Sequence, residues 1–202
     1  MSVDKCVQPG RLMIVPPRVT PPIVWPKWKI PIGSQRQAPD QPHVWPGMQV
    51  LVIGSARAAF IAKAAERTAP DGKVIVLSPD CEAMRRLEKR LAPLGLAHLV
   101  LETASPDRIP LSDHRMDRAF LVTGLRAIPD LDRTVQEVHR VLKPEGQLIV
   151  HRRLLLARVL PRQRIVRLFL DAGFDPVASH GTLFHHSLTF EKHHSQDPAQ
   201  GG

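Results

Sequence analysis

Apolar positions along this chain change rhythm near residue 46, and everything beyond that point alternates. Short apolar β-runs fall at 49–53, 73–77, 97–101, 117–122 and 146–151. Between them apolar residues recur every three or four positions, at 56–68, 80–92, 130–142 and 161–172, which predicts amphipathic helices. Two further β-runs, about 174–179 and 182–190, close the series. Strands alternating with helices predict an α/β fold: right-handed crossovers and a mainly parallel sheet with helices on both faces. Turn chemistry marks the joints, with Pro70-Asp71-Gly72 ahead of the second strand, Lys143-Pro144-Glu145-Gly146 ahead of the fifth and Ala172-Gly173 after the last helix. Pro129-Asp130 predicts the start of the helix that carries Val135, Val138 and Leu142 on one face.

The first 46 residues follow neither period. They hold ten of the 20 prolines and all three tryptophans, Trp25, Trp28 and Trp45. Proline fixes φ and removes a backbone donor, so segments such as PPRVTPP and VWPKWKIP run extended, partly as polyproline II. Tryptophan and isoleucine at this density argue against pure disorder. Two arrangements stay open: the arm wraps its own domain, or it docks on a partner. The division is therefore an arm at 1–46, a domain at 47–192 and a polar tail at 193–202 that is expected to fray.

Composition and charge narrow the classes. A 202-residue chain with 43% apolar content supports one well-buried domain plus an appendage. Cys6 and Cys81 form no metal or redox motif, which predicts no disulfide scaffold and makes a reducing, cytoplasmic setting the default. No apolar run approaches the roughly 20 residues of a membrane span, and no charged-then-apolar leader opens the sequence. The formal charge is +9, with an isoelectric point near 10.4. Between Arg152 and Arg167 there are six arginines and no acid. Arg158, Arg162 and Arg164, with Trp25 and Trp28 of the arm, are the candidate surface for a protein partner. Nucleic acid is a weaker candidate, because no aromatic residue interleaves these arginines.

Metal and nucleophile chemistry find little support. Adjacent residues on a strand point to opposite faces, so His185 and His186 do not readily share an ion, and His193-His194 lies in the tail. No metal site is expected. His139, His151 and His180 read as surface or hydrogen-bonded core histidines, and Asp113 and Asp117 as turn residues.

The most telling segment is VLVIGSARAAF at 50–60, where a β-run meets Gly54 and then an alanine-rich helix. Such a crossing normally cradles a cofactor, since glycines let backbone N–H groups approach it at a helix N-terminus. With PGMQVLVIG, the segments APDGKVIVLSPDCEAM, IPLSDHRMDRAFLV, IPDLDRTVQEVHRVLKPEGQLIV and LFLDAGFDPV follow in order. On these segments residues 46–192 resemble a class I S-adenosylmethionine-dependent methyltransferase of the type 11, small-molecule C-methyltransferase group that includes quinone methylases. The resemblance implies a Rossmann-like sheet of seven strands, the last antiparallel, with the cofactor beyond the carboxyl ends of the first, second and fourth.

Carried over residue by residue, the cofactor positions fall on Val52, Gly54, Ser55, Ala56, Ala58, Ser78, Asp80, Thr103 and Thr123. The family usually has an acid where Val52 stands and further glycines where Ala56 and Ala58 stand. The carboxylate that would grip the ribose hydroxyls aligns with Ser78. Asp80 is a substitute two residues on, although it more naturally caps the next helix. The acid that faces the adenine aligns with Thr103 or, with a shifted gap, Ser105, and Arg126 occupies a loop position that often holds histidine. The reading is of a methyltransferase-like protein with an eroded S-adenosylmethionine site, a non-catalytic scaffold or partner-binding subunit. An active methyltransferase with a divergent pocket is the alternative, and a nucleic-acid-associated protein a distant third.

Overall fold

Strands covered on both faces need no polar alternation, and β1 (Gln49–Ile53) and β2 (Lys73–Ser78) have none beyond their first residue. They form the centre of a sheet in the computed structural model, which describes residues 43–54, 56–122, 128–153, 162–181 and 185–193. The other strands are β3 (Leu99–Thr103), β4 (Met116–Leu121), β5 (Leu142–Arg153), β6 (Phe174–Gly181) and β7 (His185–Lys192). Their order across the sheet is β3-β2-β1-β4-β5-β7-β6. β7 runs antiparallel to both neighbours, and the pairs from β3 to β5 are parallel.

Helices α1 (Ala58–Thr68) and α2 (Cys81–Leu91) cover one face, and α3 (Leu131–Val141) and α4 (Arg162–Asp171) the other. Strand alternation divides the core accordingly. Val50 and Val52 pack with Phe60, Ile61 and Leu87, whereas Leu51 and Ile53 pack with Val135, Val138 and Phe169. As expected from the sequence, Asp130 opens α3, its carboxylate accepting from the Arg133 N–H at 3.0 Å.

The far end of α3 is closed by long-range partners. Lys192 Nζ donates to the His139 and Leu142 carbonyls at 2.7 and 2.9 Å. The N–H groups of His114 and Arg115 reach the Arg140 and Val141 carbonyls at 3.0 and 2.8 Å. The last carbonyls of the helix are thereby satisfied without a glycine cap.

Several expectations are corrected. β5 starts at Leu142, not at 146, and Lys143–Gly146 bulges out of it where the register slips against β4, with Glu145 at φ 63°. β7 ends at Lys192 instead of 190. His193 is held, not frayed: its N–H reaches the Gly173 carbonyl at 2.9 Å and its Nδ1 lies 2.8 Å from Asp175. Among the described residues no helix is long and apolar enough to cross a membrane.

Candidate functional site

Parallel register brings the carboxyl ends of the central strands level. Ile53 pairs with Leu77 on one side and Leu121 on the other, and Ser78 pairs with Thr103. β1 leads to α1 on one face and β4 toward α3 on the opposite face, so the sheet has its topological switch point between these two strands. In open α/β sheets the crevice at such a point is where ligands bind.

Gly54 makes the turn out of β1. Its φ is 98°, a left-handed value that costs glycine nothing, and its N–H donates to the Leu77 carbonyl at 2.8 Å. Ala56 and Ala58 are partly buried, with their methyl groups packed against the core beneath α1. Val52 is fully buried in that same apolar cluster. None of these three supplies a polar side chain.

At the end of β2 the polar groups are engaged with each other. Ser78 is 3% exposed, and its Oγ accepts from the Asp80 N–H at 3.2 Å. The Asp80 carboxylate in turn accepts from the Ala83 N–H at 2.9 Å, capping α2. Thr103 is exposed at the end of β3. Ser55, Thr123 and Arg126 lie outside the described residues, as do Trp25, Trp28 and Arg158. Arg162 and Arg164 fall in the first turn of α4. The structure therefore brings Gly54, Ser78, Asp80 and Thr103 to one edge and sinks Val52 into the core. Among the described residues no group of three or more histidine, cysteine or acidic side chains is placed to hold a metal ion.

Three polar constellations went unseen in the sequence, because each joins residues far apart along the chain. In the first, Arg140 reaches two carboxylates and two carbonyls. Its Nε and one terminal nitrogen meet Glu137 at 2.8 Å each. The terminal nitrogens also donate to the Ile109 and Leu111 carbonyls at 2.9 and 2.8 Å and to Asp113 at 2.6 Å. Glu137 closes the circuit by accepting from the Ile109 N–H at 2.8 Å. The Arg140 hydrogen bonds hold the Glu137 and Asp113 carboxyls below their usual range. This clamp fixes the connection that leaves the β3 end of the candidate site. Its sequence signal was the Glu137–Arg140 spacing within EVHRVLKPEG.

In the second, Arg118 of β4 is 7% exposed and has the Trp45 ring 4.7 Å from its guanidinium carbon. It donates to the His43 carbonyl and, at 2.7 Å, to Gln147. Burial pulls its pKa down to about 10. Trp45 is half-exposed, so the one arm tryptophan within the described residues lies flat on a cation and is not buried. In the third, Ser187 and His151 Nδ1 stand 2.9 Å apart, beside the rings of Phe60 and Phe120.

Comparison with known proteins fits this arrangement. Residues 51–150 match a family model described as a methyltransferase domain. The ubiquinone/menaquinone biosynthesis C-methyltransferase of Bordetella avium is 34% identical over 108 residues, which cover 54% of this chain and 42% of that protein. A second such enzyme, from Pasteurella multocida, is 28% identical over 63% of this chain and 44% of its own length. The chain thus spans less than half the length of these curated relatives. Among solved structures, a SAM-dependent methyltransferase from Aquifex aeolicus matches with a TM-score of 0.66 at 18% identity, over 73% of this chain and 83% of that one. At that identity the likeness speaks for the fold alone. Strand order, the reversed seventh strand and the match across 51–150 agree: the domain belongs to the class I S-adenosylmethionine-dependent methyltransferase family.

Proposed function

We propose that this chain is a methyltransferase-like scaffold with an eroded S-adenosylmethionine site, which acts by binding a partner instead of transferring a methyl group. The observation that carries this reading is the end of β2. Where the resemblance implies a ribose-gripping carboxylate, Ser78 is buried with its Oγ accepting from the Asp80 N–H. The nearest carboxylate, Asp80, already caps α2. Val52 adds support, since a valine inside an apolar cluster offers the cofactor no polar contact.

Each charge-assisted hydrogen bond contributes roughly 1.5–3 kcal/mol, and about 1.4 kcal/mol is tenfold in affinity. Two or three missing contacts weaken binding by roughly 10²–10⁴-fold after allowance for non-additivity. Calorimetric titration of the folded protein with S-adenosylmethionine and S-adenosylhomocysteine, to millimolar concentration, tests this. No heat, or millimolar binding, is expected. Micromolar binding would refute the eroded-site reading in favour of an active methyltransferase with a divergent pocket. That second reading has one observation of its own, the intact left-handed turn at Gly54.

A further inference from the structure

Among the described residues the sheet ends in two strands with a neighbour on one side only, β3 and β6. Such an edge presents a row of backbone N–H and C=O groups, which proteins blunt with proline, bulges or charge. β6 has all three. Pro176 lacks a donor, the register against β7 slips between Pro176 and Ala178, and Asp175 stands exposed just before them. β3 has neither proline nor bulge: its sequence is LVLET, and its register against β2 runs unbroken from Leu99 to Thr103. Its one charged residue is Glu102. Leu99, Val100 and Leu101 are only partly buried, the two leucines packing toward one core and Val100 toward the other.

Hydrogen bonds fix which groups of β3 point outward. The Val74 N–H donates to the His98 carbonyl at 3.0 Å, and the Ala104 N–H donates to the Ser78 carbonyl at 3.2 Å. Backbone groups alternate in direction along a strand, so in this parallel ladder the even residues from 98 to 104 turn theirs toward β2. Leu99, Leu101 and Thr103 therefore turn theirs away from the sheet. The Leu99 N–H is taken by the Leu96 carbonyl at 3.2 Å. The Leu99 carbonyl and both backbone groups of Leu101 face no partner strand among the described residues.

We propose that β3 is a dimerisation edge, to which a second copy of this chain adds its own β3 antiparallel about a two-fold axis at Val100. The occupant follows from self-complementarity. A two-fold interface needs every pairing reciprocated, and outward groups must meet outward groups, which sets odd residues opposite odd ones. With the axis at Val100, Leu99 of one copy faces Leu101 of the other and Val100 faces Val100, so apolar opposes apolar on both faces of the sheet. The Leu101 N–H of each copy then donates to the Leu99 carbonyl of the other. Glu102 falls opposite His98 and not opposite its own counterpart. An axis at Leu101 would instead set Val100 opposite Glu102 and Leu99 opposite Thr103. The palindromic order Leu-Val-Leu is what a second copy requires and an unrelated strand does not. The proposal stands apart from the loss of the cofactor, since a working methyltransferase could carry the same edge.

Two five-residue strands make a small contact beside the roughly 1,200–2,000 Å² of a stable interface, so association is expected at micromolar concentrations. Sedimentation velocity of the full chain over about 1–500 µM spans that range and should show monomer passing to dimer. Leu101→Pro removes the outward N–H and keeps the bonds to β2, a change that edge strands tolerate. One donor is lost per copy, so dimerisation should weaken by about tenfold or more. Val177→Lys, on the exposed face of β6, should alter it by less than about a factor of two. Should Leu101→Pro not fold, amide exchange on the wild-type protein replaces it. Exchange at Leu101 should then slow as concentration rises, while exchange along 174–181 stays constant. A monomer across the whole range would overturn the proposal, as would a dimer that Leu101→Pro leaves intact or exchange at Leu101 that ignores concentration. Strong protection of Leu101 already in the monomer would also overturn it, and would point to a strand supplied by the same chain.

Discussion

Replacing Arg140 with methionine should lower stability by about 2–3 kcal/mol while leaving the sheet intact, and the figure follows from its partners. Methionine keeps the helix propensity and much of the aliphatic stem but none of the five donated hydrogen bonds. The Ile109 and Leu111 carbonyls each lose a partly buried donor, about 1 kcal/mol apiece. The Glu137 pair is 20% exposed on the acid side and 33% on the arginine side, which supports about another 0.5–1 kcal/mol. Asp113, at 61% exposure, adds almost nothing after solvent screening. At roughly 2–4 °C per kcal/mol for a chain of this size, the melting temperature should fall by about 5–10 °C. Calorimetric unfolding at pH 7 measures it. Arg140→Lys should recover less than half of the loss, because an ammonium does not fork between Glu137 and two carbonyls. A shift below 2 °C for Arg140→Met, or full recovery by lysine, would refute the clamp as a source of stability.

Other expectations follow from single contacts. His139 is desolvated and sits near the Lys192 ammonium, and both hold its pKa below the usual value. Its contribution is therefore present above about pH 6.5, the unfolded value, and lost as pH falls through the lower folded one. His139→Gln should flatten the decline in denaturant midpoint between pH 7 and 5. Asp80→Ala should cost about 1 kcal/mol as a lost cap while leaving the S-adenosylmethionine titration unchanged; a change in cofactor heat would contradict the assignment of its carboxylate. Ala58→Gly should cost about 1 kcal/mol in chemical denaturation, with no gain in cofactor affinity. Gly72→Ala should be far more damaging than its size suggests, giving little soluble protein, because the added Cβ would lie 2.4 Å from the Thr68 carbonyl oxygen and 2.6 Å from that of Met48.

Local signals made the fold readable. β2 and the helix openings at Asp80 and Asp130 announce themselves within a few residues, and each lies where its pattern placed it. The β5 start was misread because Lys-Pro-Glu-Gly is turn chemistry, and the sheet accommodates it as a bulge instead of ending there. What the sequence hid is the wiring between distant segments. Nothing near Lys192 tells that it closes α3 some fifty residues upstream. Nothing near Arg118 announces the Trp45 ring above it. The β5–β7 register that sets Arg152 opposite His186 and Arg153 opposite His185 is equally a property of the folded sheet. Periodicity reports what one element needs, and these contacts are choices between elements.

The glycine pattern at the β1–α1 turn separates two demands that are usually confounded. A glycine there serves the backbone where φ is positive and serves a ligand where only close approach is needed. At Gly54 the backbone demand is real, with φ at 98° and the N–H held by the Leu77 carbonyl, and it would exist with no cofactor at all. Neither Ala56 nor Ala58 has a positive φ. Glycine at those two positions would therefore answer only to a ligand, and alanine serves the helix and the core better. The same division holds on the strands, where Val52 fits a dry interior that would exact a cost from a carboxylate. The chain has glycine where its own backbone requires one and apolar side chains at Val52, Ala56 and Ala58. On the scaffold reading proposed above, the melting temperature of the domain should be indifferent to added S-adenosylmethionine. A rise of more than 2 °C at one millimolar cofactor would mean that a ligand still speaks for this turn.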